Sequence, residues 1–189
     1  MASRAYGTIG VRGNHEIGTL NSKWAKHMVN GAMATEDIDN YLLVELERNE
    51  DGDLTCKALT DTTTKGYLAT TIEEEDLMQT DGFNEEYVDF FNGEDEMVRI
   101  TDVDVQKNVR FETSAFSKNA GGEGEGTEVT EVKRGMVAHF DPNTKKYIVS
   151  LASDTASAYD TAANKFEVVG VDTDFGYAFD KETIRLMSI

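Results

Sequence analysis

The feature that most constrains this chain is its punctuation: short runs of β-branched, aromatic and large aliphatic residues, each stopped by a tight turn. Residues 132–140 read as a strand and residues 146–151 as its return partner. Between them stand Asp141, Pro142, Asn143, Thr144 and Lys145. Asp accepts the turn hydrogen bond at the first position and Pro presets φ at the second. Residues 166–171 and 183–189 add two more β-rich runs. Four strands in so short a stretch predict a small closed or nearly closed β-unit with no room for a sizeable catalytic apparatus.

The same grammar recurs upstream. Leu42, Val44 and Leu46 alternate along a strand over residues 39–48. Asn49-Glu50-Asp51-Gly52 makes a hairpin turn around an Asp-Gly pair, and residues 53–59 return. Residues 67–71, 97–101 and 108–113 read as further strands, with Asn92-Gly93 as a turn. Helix is sparse. Asn21 or Ser22 can cap a short one carrying Leu20, Trp24 and Met28, with Gly31 placed to end it. Residues 73–78 offer one acidic helical turn, residues 84–91 a strand or a short helix, and residues 153–165 a surface loop or a weak helix. No internal repeat is visible. The fold class expected is mainly β: small β-barrel or sandwich units with an extended N-terminal arm and little helix.

Four parts follow from composition. Residues 1–34 form an extended basic arm, residues 35–118 an acidic β-rich domain, residues 119–128 a glycine-rich linker or loop, and residues 129–189 a small C-terminal barrel-like domain. The arm spaces Gly7, Gly10, Gly13 and Gly18 through its first twenty residues, which raises the entropy cost of ordering it. It holds Arg4, Arg12, Lys23 and Lys26 against Glu16 alone, a balance of +3. The whole chain carries −18, which leaves −21 for the remainder. An acidic body of this kind argues against wrapping nucleic acid, where clustered Lys and Arg drive counterion release. A single cysteine, Cys56, rules out an intrachain disulfide framework. No run approaches the ~18–20 apolar residues of a membrane span, so a soluble protein without a membrane partner is expected.

No pattern of residues announces chemistry. His15, His27 and His139 show no metal-ligand spacing, and each reads as a surface or interface residue. Cys56 sits on a predicted strand as a buried, inert thiol. The Gly121–Gly126 run lacks the Lys of a phosphate loop, and Glu123 and Glu125 would repel phosphate. Asn49, Asp51 and Asp53 alternate across a turn, but the spacing does not make a calcium loop. Neither catalysis nor a cofactor is expected; a calcium- or carbohydrate-binding β module stays open as an alternative.

Arg134-Gly135-Met136-Val137, the run from Asp141 to Tyr147 and the run from Phe166 to Val171, together with the glycine-rich leader, resemble tailed-bacteriophage head decoration (capsid cement) proteins. The likeness covers about the last third of the chain and is one of sequence style. It implies a non-enzymatic virion protein, made in the host cytoplasm, that sits in many copies on the outer capsid surface. Its partner would be the major capsid protein, and copies of itself would pair with it, a trimer included. Under this resemblance attachment falls to Arg4, Tyr6, Arg12, Leu20, Lys23, Trp24, Lys26 and Met28. A tail-tube or head-completion protein is the other virion reading.

Overall fold

The structure, a computed structural model, describes residues 26–27, 31–71, 91–103, 109–172 and 182–189. Their strands are β1 (Lys26–His27), β2 (Ala32–Ala34), β3 (Ile38–Asp39), β4 (Leu43–Arg48), β5 (Leu54–Ala58), β6 (Tyr67–Ala69), β7 (Phe91–Asn92), β8 (Met97–Val98) and β9 (Ile100–Asp102). Then come β10 (Arg110–Thr113), β11 (Phe116–Lys118), β12 (Val137–Asp141), β13 (Lys146–Ser150), the short helix α1 (Ser157–Thr161), β14 (Lys165–Asp172) and β15 (Thr183–Ser188). The protein is mainly β with little helix, as its turn chemistry predicts.

Two large sheets carry the fold, in the orders β1-β9-β6-β4-β5-β2-β8 and β10-β15-β14-β12-β13-β11, beside a small β3-β7 pair. Neither large sheet is flat. β10 and β11 lie at opposite margins of the second sheet yet are joined by Ser114 and Ala115 alone. Six strands laid flat would separate those margins by about 24 Å, at ~4.8 Å per strand. Three residue steps reach only about 11 Å. The sheet therefore curls until one bent stretch of chain, residues 110–118, serves both margins. It pairs β15 through its first half and β13, in parallel, through its second. The ring is interrupted at the bend, so the expected closed barrel is not formed by an unbroken strand.

The first sheet is built the same way. There β1 pairs β9 antiparallel and β2 pairs β5 in parallel. β4 pairs both β5 and β6, and β6 pairs β9. In the second sheet β12 pairs both β13 and β14, and β14 pairs β15. Strand for strand, β1, β2, β4, β5, β6 and β9 match β10, β11, β12, β13, β14 and β15; β8 is an extra strand on β2. The match extends to single hydrogen bonds. Tyr41 N–H donates to Ala69 O at 2.7 Å and Gly135 N–H to Val168 O at 2.8 Å. The return bonds, Ala69 N–H to Leu42 O and Val168 N–H to Met136 O, measure 3.0 and 2.8 Å. Thr35 N–H to Cys56 O repeats as Asn119 N–H to Val149 O, at 3.0 and 2.9 Å. Even the backbone sign is kept, with φ of +60° at Tyr41 and +83° at Gly135. The described strands form a tandem repeat of one β-unit, β1 to β9 and β10 to β15, which sequence inspection does not reveal.

The divisions expected from composition fall elsewhere in consequence. β1 and β2 belong to the sheet of repeat 1, with Ala32 and Ala34 fully buried, so an extended arm does not reach residue 34. The helix expected across Leu20, Trp24 and Met28 gives way, at Lys26 and His27, to a ladder with Asp102 and Thr101. Residues 119–128 lie inside repeat 2, between β11 and β12. They are pinned there: buried Asn119 bonds the carbonyls of Glu125 and Thr127, Thr127 Oγ1 meets Asp154 at 2.6 Å, and Ser157 Oγ meets Glu125 at 2.9 Å. Gly121 and Gly126 have φ of +70°, and a Cβ on Gly126 would stand 2.6 Å from Asp154 O. Glycine serves close approach and positive φ at this point, not a flexible linker.

Candidate functional site

The most densely built contact is the joint between the repeats. The residue before β4, Leu42, is buried, and Tyr41 ahead of it holds a left-handed backbone that costs a non-glycine residue about 1 kcal/mol. The joint makes use of that conformation. Tyr41 O accepts the hydroxyl of fully buried Tyr147 at 2.8 Å, and the Tyr41 ring stacks on Phe111 with centroids 5.5 Å apart. Phe111, Phe140 and Phe166 pack around Tyr147 at 5.3–5.5 Å. Burial pushes the Tyr147 phenol well above its usual range, so it remains a donor. Nearby, Asn164 Oδ1 accepts Gly66 N–H at 2.7 Å and its Nδ2 donates to Gly66 O at 3.3 Å. Lys145 pairs with Glu36 at 3.3 Å across the rim. One hydrophobic core runs through both repeats.

Cys56 and His139 lie inside this framework. Cys56 is buried, and burial, helped by the Glu36 charge, pushes its thiol up to about 12. His139, expected at a surface or interface, is 3% exposed on β12. Its ring stands edge-on to Tyr159 of α1 at 6.3 Å, and its buried Nδ1 makes no hydrogen bond. Burial lowers its pKa against the opposing pull of Asp141 and Glu125. Among the described residues no group of His, Cys, Asp and Glu is arranged to hold a metal ion. Asn49 Oδ1, one of the alternating turn residues, accepts Asp53 N–H at 2.8 Å and so shapes the hairpin instead.

Of the residues expected to bind a partner, Arg4, Tyr6, Arg12, Leu20, Lys23, Trp24 and Met28 lie outside the described residues. Lys26 lies in β1, opposite Asp102 at the margin of the first sheet. The residues that sequence reasoning missed are Tyr41, Tyr147 and Asn164. The one available signal was the turn before each central strand, Asp39-Asn40-Tyr41-Leu42 and Lys133-Arg134-Gly135-Met136, which share geometry but no side-chain identity.

Comparison with known proteins adds ancestry. Residues 11–189 match the YonC prophage protein family. The SPbeta prophage-derived protein YonC of Bacillus subtilis (strain 168) is 39% identical over 187 residues, 98% of this chain and 97% of that one. The chain belongs to the YonC prophage protein family. No solved structure matches it. The phage origin expected from the resemblance thus holds at the level of the prophage. The YonC-family match starts well before β1, so it takes in part of the basic leader as well as both repeats. Glu47, Glu50, Asp51 and Asp53 are exposed around the β4–β5 hairpin of repeat 1, and Lys133 and Arg134 are exposed ahead of β12 in repeat 2.

Proposed function

We propose that this YonC-family protein is a non-enzymatic structural component of a phage particle, a decoration protein that binds the outer surface of the head and stabilises it. The observation that carries this reading is the joining of leader and body. Lys26, the last cation of the leader, is built into a ladder with β9 at the margin of the first sheet. The leader is basic and the remainder strongly acidic. A cationic segment held at one end suits a negatively charged shell of coat subunits, while the acidic body keeps copies apart in solution. Where each contact is weak, many copies acting on one particle raise the effective concentration without new contacts. The buried thiol and imidazole fit the non-enzymatic part of the proposal, since neither is presented to a substrate.

The test is cosedimentation with purified phage heads and, separately, purified tails. The full chain should travel with heads, and a chain lacking residues 1–25 should remain folded and stay behind. Equal retention of the truncated chain would remove the leader from attachment. Binding to tails and not heads would replace decoration by a tail role.

A further inference from the structure

The outer face of β12, on which Val137, His139 and Asp141 alternate, is covered by α1 and by residues 119–128. Both segments are held firmly at their ends. Asn119 N–H donates to Val149 O and Val129 N–H to Asn119 O, each at 2.9 Å. Ala156 and Ala162 are buried, and Ala163 N–H reaches Thr62 O at 3.0 Å. Between those ends the fastenings are polar and exposed. Ser157 Oγ donates to Glu125 at 2.9 Å, Thr127 Oγ1 to Asp154 at 2.6 Å and Lys165 Nζ to Asp160 O at 3.1 Å. Helix α1 has five residues, none of them buried, and no side chain caps its start. A helix so short has little stability of its own, and a segment with few buried contacts opens at far lower cost than the core.

What this cover encloses is His139. The residue is 3% exposed, and its buried Nδ1 makes no hydrogen bond. A neutral ring tolerates that place, whereas an imidazolium would carry an N–H there with no acceptor. Charged and titratable groups stand on every element around it. Asp141 shares its strand, Lys146 lies on β13, and Lys165 and Glu167 lie on β14. Tyr159 and Asp160 belong to α1, and Glu125, with Glu123 and Glu128, to the glycine-rich run. Asp141 and Glu125 favour the charged ring, but burial outweighs them and lowers its pKa. Opening returns the ring to water and to an ordinary value of about 6.5. The open form therefore takes up a proton where the closed form does not. Falling pH shifts the balance toward opening, by at most about tenfold per unit, until the closed form is itself protonated.

We propose that residues 120–128 and α1 form an acid-released lid, which protonation of His139 opens while both repeats keep their core. The hinges are the anchored ends, Asn119 and Val129 on one side and Ala156 and Ala162 on the other. Opening uncovers the Val137–His139–Asp141 strip of β12. The inference concerns this lid alone and is independent of head decoration.

The experiment is hydrogen exchange of the full chain read by mass spectrometry at about pH 7.5, 6.5 and 5.5, one unit either side of the ordinary histidine value. Each rate is divided by the intrinsic rate at that pH. Protection should fall several-fold, and by no more than about tenfold per unit, in peptides holding the Glu125 and Tyr159 amides, both bonded to carbonyls. Peptides from β5, β13 and β15 should keep theirs. His139→Gln and His139→Phe carry no titrating ring and should show one level of lid protection at all three values. Lid protection that does not change with pH in wild type would overturn the proposal. So would an equal loss in the core strands, or a pH trend that survives both substitutions. Should neither variant fold, a proton NMR titration of the wild-type His139 ring decides: a midpoint below about 6.5 is expected, and one at or above it overturns the lid.

Discussion

Removing a single oxygen atom at Tyr147 tests whether the two repeats stand or fall together. Tyr147→Phe keeps the ring among Phe111, Phe140 and Phe166 and deletes only the donor to Tyr41 O. A buried neutral hydrogen bond of 2.8 Å contributes about 1–2 kcal/mol, including the cost of a poorly satisfied carbonyl. For a chain of this size that corresponds to a fall of roughly 2–8 °C in melting temperature. The carbonyl belongs to repeat 1 and the hydroxyl to repeat 2, so the loss should lower the stability of both. Urea unfolding followed by far-UV circular dichroism and by tyrosine absorbance should show one coincident transition in wild type. In the variant the midpoint should move down with an unchanged slope. A change below about 0.5 kcal/mol would show that the bond adds nothing beyond an ordinary surface substitution. Two separated wild-type transitions would refute the shared core outright.

The remaining expectations concern repeat 2. His139 is held neutral by burial, with its pKa below the ordinary 6.5, while Asp141 and Glu125 pull the other way. Asp160 of α1 and Lys165 and Glu167 of β14 also lie on the elements packed around it. The unfolded chain takes up the proton first, so stability is complete above about pH 6.5 and is lost as pH falls through that value toward the lower folded pKa. His139→Gln should flatten this slope in melting curves recorded between pH 5 and 7.5, taken as about one unit either side of the histidine range; an identical slope would acquit the residue. Gly126→Ala should cost more than Gly124→Ala by about 1–3 kcal/mol in the same urea assay. Both have positive φ, but only the Gly126 Cβ would strike the backbone of residues 154 and 155.

The hairpin from Asp141 to Lys146 was legible because side chains write it: Asp141 Oδ1 accepts Asn143 N–H at 3.0 Å and Oδ2 accepts the Thr144 hydroxyl at 2.7 Å. Alternating apolar residues likewise placed β4, β5, β14 and β15 to within a few residues. The glycine-rich run stayed open between linker and loop because one composition serves two ends, mobility and tight packing, and only the neighbours of Gly121 and Gly126 separate them. The repeat was hidden because main-chain hydrogen bonds preserve it. Tyr41 against Gly135 and Leu42 against Met136 share a backbone path with little chemical likeness. His139 was misplaced because α1 and residues 119–128 cover the outer face of β12, and strand alternation carries no record of such a cover.

The pairing of each repeat's first strand with its last has a consequence for biosynthesis. β1 is made well before its only described ladder partner, β9, which lies near the far end of the same unit. In the second repeat β10 likewise has no mate from β15 until Thr183–Ser188 have been made. Such long-range pairing slows folding, because chain closure precedes the reward of contact. Nascent chains stalled before residue 100 should therefore be the stage most easily cut by protease and most in need of a chaperone.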